Sequence, residues 1–251
     1  FAAISSCILL SLSTGICYAA HPLITDDAGT LGKGHAQIEI NYEYERVRDH
    51  AAREREFSLG SSISYGIFET GDVILSAPYL WTRTSELGES EKERGIGDMV
   101  IELKWRWYEK DGLGLAFKPG LILPTGNDRR GLGSGKVGYQ FYLIATKEMN
   151  PVVLHGNAGY IANKNTGGDR EDLWHVSLAG ELPLGEHLRL VANSGIERDT
   201  EPSFRRDQAF FLAGLIFALT KWCDIDGGLK YLSTRHGSHG WSLLTGITLR
   251  F

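Results

Sequence analysis

Cysteine is nearly absent from this 251-residue chain: Cys7, Cys17 and Cys223 are its only three. The first two fall in an apolar leader, so the rest holds a single thiol. That excludes an internal disulfide and a cysteine-built zinc site. A strong charge of one sign is also missing. The net charge of −5 lacks the basic footprint of nucleic-acid binding, and no nucleic-acid partner is expected. Long apolar runs are missing too: after residue 20 nothing approaches the roughly 20 apolar residues of a membrane helix. No cofactor motif appears, so neither a cofactor nor a metal is expected. The His236-Gly-Ser-His239 stretch reads as a polar exposed loop rather than a metal site. LPTG at 123–126 lacks the further residue of a wall-anchoring signal and is not terminal.

The first residues, FAAISSCILLSLSTGICYAAHPL, are apolar with small residues near their end. They resemble the core of a secretory signal peptide, without an initiator Met or a basic start. Residues 1–19 are the expected leader, cleaved after Ala19, which puts Ala at −1 and Cys17 at −3. A lipoprotein signal fits less well, because Ile16 is large for the position before Cys17. A secreted chain with 31 glycines, no disulfide and no membrane helix needs another source of stability.

Alternation supplies it. In GDMVIELKWRWY (97–108), Met99, Ile101, Leu103, Trp105 and Trp107 share one face, and Asp98, Glu102, Lys104 and Arg106 the other. This is the period of a strand, not of a helix. The pattern recurs from GHAQIEINYEYERV (34–47) to SLLTGITLRF (242–251), in about twelve segments, an even number as bacterial outer-membrane barrels require. Segment 208–219 is apolar on both sides and carries least information. Connections alternate in length: 48–55, 84–95, 124–134, 163–171, 198–206 and 234–239 are longer and polar, while those between them are tight.

The expected fold is therefore all-β: an antiparallel transmembrane β-barrel over 34–251, with short periplasmic turns and longer extracellular loops. The expected location is the outer membrane of a Gram-negative bacterium. A soluble β-sandwich or barrel is the rival; it would have to bury its apolar faces in a filled core, whereas a second face mixing charges of both signs suits a watery lumen. Trp81, Trp105, Trp107, Trp174, Trp222 and Trp241 sit near strand ends, as an interfacial girdle does.

HPLITDDAGTLGKGHAQIEINYEYE, GIGDMVIELKWRWY, LILPTGN and the final Phe251 resemble the outer-membrane proteins named for the MetA-pathway of phenol degradation, described as transporters. The resemblance spans nearly all of the chain after the leader. It implies a channel for passive passage of small molecules, aromatic or hydrophobic ones included, though the family name is no evidence for phenol. It also implies that Phe251, last on the lipid face of the last strand, is the signal read by the barrel-assembly machinery. Outer-membrane lipid and a small solute are the other expected partners.

Candidate lumen and selectivity residues are Glu39, Glu43, Glu102, Lys104, Arg106, Lys118, Lys136, Arg189, Glu197 and Lys230. They either tune selectivity or pair across the lumen and fill it. Residues 20–33 are not strand-like. They form either a plug in or under the barrel, with Asp26 and Asp27 as candidates for a gate, or a periplasmic arm. His175 and Ser177 match the His-x-Ser spacing of outer-membrane phospholipases, with Asn193 or Asn157 to orient the histidine. In those enzymes the pair faces lipid, whereas the phase of Trp174, Val176 and Leu178 turns it inward here. No enzyme is expected; a lipid hydrolase and a sealed structural or adhesive barrel are the alternatives.

Overall fold

The computed structural model describes residues 21–48, 52–86, 89–200, 207–234 and 239–251. The alternating segments become strands β1 (Ala36–Arg48), β2 (Ala52–Phe68), β3 (Gly71–Glu86), β4 (Glu89–Ile96), β5 (Met99–Lys110), β6 (Leu113–Leu123), β7 (Gly138–Met149), β8 (Val152–Ala162), β9 (Asp172–Pro183), β10 (Leu188–Arg198), β11 (Asp207–Thr220), β12 (Cys223–Thr234) and β13 (His239–Arg250). Apart from β4 and β5, consecutive strands pair antiparallel, and β1 closes on β13 from Gln37↔Arg250 to Arg48↔His239. β3 pairs with β5 through its first half and with β4 through its second. β4 and β5 are thus two halves of one stave, broken at Gly97-Asp98, and the closed barrel has twelve staves. Among the described strands only β4 pairs on a single side; closure pairs the others on both sides, so backbone polar groups are satisfied in lipid without help from water.

The barrel is inside-out. Ile63, Leu103, Leu121, Leu143, Leu178, Phe211 and Leu229 are exposed on the outer face. Glu102, Lys104, His155, Asn157, His175, Asn193 and Asp224 are buried within. A surface of that kind is stable only against lipid, which places the protein in the outer membrane. Among the described residues no helix is long and apolar enough to cross a membrane. Aromatic pairs mark one interface: Tyr44 packs on Phe57 at 4.6 Å and on Trp241 at 5.4 Å between ring centres. Trp105, Trp107 and Trp222 stand exposed at the opposite, short-turn end.

The described parts of two expected loops are strand instead. Residues 84–86 and 89–95 belong to β3 and β4, with Glu86 opposite Glu89. Residues 48 and 52–55 extend the β1–β2 ladder to Arg48↔Arg53. Both stretches are polar on both faces. Strands that project beyond the bilayer need no apolar face, so the alternation that announces the others is missing. Segment 124–134 is a loop carrying a short 3-10 helix, Asp128–Arg130. It docks on the stave break. Asp98 accepts hydrogen bonds from Gly126 N (2.9 Å) and Ser134 N (2.7 Å), and Thr125 Oγ1 donates to Gly97 O (2.9 Å). The expected leader lies outside the described residues, as does most of the His236–His239 loop.

Candidate functional site

The non-strand segment before β1 lies among the inward side chains of strands from every part of the barrel. Its backbone carries donors and acceptors that a strand would pair with a neighbour, so the lumen must pair them instead. Asn193 Oδ1 accepts from Ile24 N (2.7 Å) and Thr25 N (3.0 Å). Asn157 faces the Asp26 backbone. With its amide turned so that Oδ1 accepts from Asp26 N (2.7 Å), its Nδ2 donates to Asp26 O (2.9 Å). Thr146 Oγ1 accepts from Ala28 N (2.8 Å), and Asp72 accepts from Leu31 N (3.0 Å). Leu23 adds an apolar contact with Val191, Leu212, Ile216 and Leu244. This explains why 208–219 is apolar on both sides: Leu212 and Ile216 line the lumen where the segment covers them.

Asp26 is the electrostatic centre. Its carboxylate lies 2.9 Å from Lys104 Nζ and 2.9 Å from Lys118 Nζ, and Lys118 also reaches Glu102 at 3.3 Å. Burial acts to raise the Asp26 carboxyl, but the two lysines outweigh it and hold it well below the usual carboxylate range. Asp27, 3.8 Å from Lys104, is instead raised, chiefly by burial. The site thus keeps Asp26 ionised and disfavours a second charge beside it.

Two lumen cavities meet at this point. One, toward the short turns, is lined by Gln37, Glu39, Ser64, Asp72 and Lys104. The other opens toward the long loops past Tyr142, Leu173, Trp174 and Arg198. Ile24, Asp26, Glu102 and Lys118 line both. The Asp26 cluster therefore partitions the lumen.

The remaining candidate residues fall in separate groups. Glu39 accepts from Gln37 Nε2 (2.6 Å) beside the inner cavity. Lys230 bridges Glu43 (2.6 Å) and Glu45 (3.1 Å). Arg189 bridges Glu181 (2.7 Å) and Asp224 (3.1 Å). Arg106 pairs with Glu109 at 3.2 Å near a short turn. Lys136 is not in the lumen: β7 begins only at Gly138, and Lys136 is exposed in the loop before it. Phe251 is exposed, its backbone paired with Ala36 (Phe251 N to Ala36 O, 2.9 Å).

His175 and Ser177 face inward and are buried. His175 Nε2 lies 2.8 Å from Ser177 Oγ, and its Nδ1 lies 3.1 Å from Glu197. Ser177 Oγ in turn accepts from Thr25 Oγ1 at 2.6 Å, and Asn193 Nδ2 donates to Thr25 Oγ1 at 2.7 Å. Asn193 does not touch the histidine ring; it holds the N-terminal segment. Residues that the sequence did not single out also hold it: Asp72, Thr146, and Asp226, which lies 2.5 Å from His21 Nδ1. A polar residue on an inward phase was the available signal, but their partner could not be read from their own strands.

A family model described as "Putative MetA-pathway of phenol degradation" matches residues 20–251. No curated protein sequence matches the chain. Among solved structures, the fold is similar to an outer membrane channel from Pseudomonas putida F1, at 15% identity and a TM-score of 0.69, over 90% of this chain and 98% of that one. It is also similar to the translocator domain of autotransporter NalP from Neisseria meningitidis, at 14% identity and a TM-score of 0.57, over 88% and 89% of the two chains. A Pseudomonas aeruginosa FadL homologue matches at 10% identity and a TM-score of 0.51, over 86% and 90%.

Proposed function

Because the chain belongs to the MetA-pathway of phenol degradation family, we propose that it is an outer-membrane channel for small molecules whose lumen is gated by its own N-terminal segment. The observation that carries this reading is Asp26, held between Lys104 and Lys118 where the two lumen cavities meet. A plug held by hydrogen bonds and one ion-pair cluster is displaceable, unlike a lumen filled by side chains of the wall itself. Tyr142, Ile161 and Leu173 give the outer cavity an apolar wall with one aromatic ring, which suits a small aromatic or hydrophobic solute. The similar Pseudomonas putida protein is an outer membrane channel, which agrees with this role.

The hydrolase reading is weaker. Ser177 stands in a Ser-His-Glu chain, but its hydroxyl is capped by Thr25 and faces the lumen, away from lipid. We read that chain as a latch on the plug, with Glu197 and His175 orienting Ser177 toward Thr25.

Asp26→Asn tests the gate. Breaking a buried ion pair costs roughly 3–5 kcal/mol, and water in the lumen reduces that figure. A residual loss of about 1.4–3 kcal/mol would shift the plug toward its displaced state about ten- to hundredfold. Single-channel recording in a planar bilayer should show the variant open far more often than the wild type, with the same step size. A folded variant as silent as the wild type would mean that the Asp26 cluster seals a structural barrel.

A further inference from the structure

We propose that the outer face of β1–β4, at its loop end, binds the phosphorylated headgroup of an outer-leaflet glycolipid of the lipid A type. This inference does not depend on the channel reading. The register of these strands sets side chains in horizontal rows. Tyr44, Phe57 and Trp81 stand opposite one another across β1, β2 and β3, with Arg94 of β4 next in the row. One row further from the short turns come Arg46, Arg55, Arg83 and Lys92, also directly opposite one another. The phase is outward, since Glu43 and Glu45 on the alternate phase pair with Lys230 inside. Arg55, Arg83, Lys92 and Arg94 are exposed.

Like charges directly opposite one another across a sheet repel, and an anion held among them relieves that repulsion. The Arg46 Nε is buried and meets no hydrogen-bond acceptor among the described residues. Beneath the cations, Tyr42, Phe57 and Trp81 line a largely apolar groove whose margin is Arg83, Lys92 and Arg94, with Glu93 and its ion-pair partner Arg130 also on its lining. Charge above and apolar surface below is the complement of an anionic lipid with its headgroup at the rim and its acyl chains along the wall.

The height fits. On β2 the outward ladder runs from Tyr65 to Arg55, ten residues apart, which is about 34 Å along the strand. Tilted by about 40°, it rises roughly 26 Å, close to the height of an outer-membrane barrel's apolar band. The cations therefore stand level with the headgroups of the outer leaflet. At the other rim the same three strands present Ile38, Tyr65, Phe68 and Val73 instead. That asymmetry matches a membrane that carries bisphosphorylated glycolipid in its outer leaflet alone. Arginine suits the role, because its planar fork binds phosphate through paired hydrogen bonds.

The test is native mass spectrometry of the refolded, detergent-held barrel. It is offered bisphosphorylated lipid A, the same lipid with both phosphates removed, or phosphatidylethanolamine. The wild type should retain the bisphosphorylated lipid in preference to the other two. Arg55→Gln, Arg83→Gln and Arg94→Gln combined should weaken that retention by about tenfold or more, the size set by charge-assisted hydrogen bonds. Lys110→Gln at the opposite rim should leave it unchanged. Equal retention of the dephosphorylated lipid, or full retention by the triple variant, would overturn the proposal. Excess inorganic phosphate should not displace the lipid; displacement would show a phosphate site and overturn the assignment to a lipid. All three arginines are exposed and outside the lumen, and heat-modifiable electrophoretic mobility verifies folding. If the triple variant fails that check, Arg55→Gln and Arg94→Gln are scored singly by the same criterion.

Discussion

Excision of residues 21–33 should convert the barrel from one that opens rarely into one that conducts in steady steps, with a mean current at least about tenfold higher. The segment contributes no strand to the barrel. The β1–β13 seam begins at Gln37 and is untouched by its removal. What the excision takes away is the material between the two cavities: Ile24 and Asp26 line both, and Leu23 covers the apolar patch of Val191, Leu212 and Ile216. A twelve-stave barrel is wider than the eight-stranded barrels that side chains alone fill. The polar groups that the segment satisfies, Asn193, Asn157 and Asp72 among them, are left facing water, which replaces their partners at little cost. Planar-bilayer recording of the intact and shortened barrels reads the effect. A shortened barrel that folds and remains silent would show that the wall closes the lumen by itself.

Gly66→Val should have nearly the same effect as the excision without removing any residue. Gly66 lies on the inward phase of β2, where the N-terminal segment leaves the lumen to enter β1. Gly34 N donates to Gly66 O at 2.8 Å, and Gly66 N donates to His35 O at 2.9 Å. A Cβ at position 66 would overlap the carbonyl of Gly32. Gly32 and Gly34 have φ of +82° and +87°, so this tight path is open to glycine at low cost and to few other residues. Backbone cannot step aside as the end of a side chain can, so valine forces the segment out of its seat. Gly60→Val is the matched comparison: it lies on the same strand and phase, and its Cβ would come no closer than 3.8 Å to the Asn41 carbonyl. Gly66→Val should conduct like the shortened barrel and Gly60→Val like the wild type. Equal behaviour of the two would place the gate elsewhere.

The barrel was legible because alternation is a property of each strand alone. Trp105, Leu103 and Ile101 face lipid whatever their neighbours are, and Lys104 and Glu102 then face inward. The ends of β3 and β4 farthest from the short turns were not legible, since their sequence is polar at nearly every position and no period remains. Lys136 failed for a smaller reason: the strand begins two residues later than the alternation suggested. The N-terminal segment lay beyond a sequence reading in a deeper sense. Its partners are set by the closed fold; Thr25 meets Asn193 from 168 residues away, and nothing near Thr25 announces it. The short motifs behind the family resemblance do have visible physical roles. Thr-Asp-Asp at 25–27 supplies the polar contacts of the N-terminal segment with Ser177, Asn193, Lys104 and Lys118. Gly97-Asp98 is the stave break, and Thr125-Gly126 of LPTG is what docks on it. The phase of Trp174, Val176 and Leu178 turns His175 and Ser177 inward, and inward is where they lie.

The most direct test is to lock the plug and release it in the same molecule. Thr25 Oγ1 and Ser177 Oγ are 2.6 Å apart, so Thr25→Cys with Ser177→Cys brings two thiols within bonding reach, in a Cys223→Ala background that removes the other thiol among the described residues. The oxidised barrel should pass no current, and a reductant added to the bilayer chamber should start it, reversibly. Current that persists through the oxidised, cross-linked barrel would contradict the account, because solute would then have a route that the N-terminal segment does not govern.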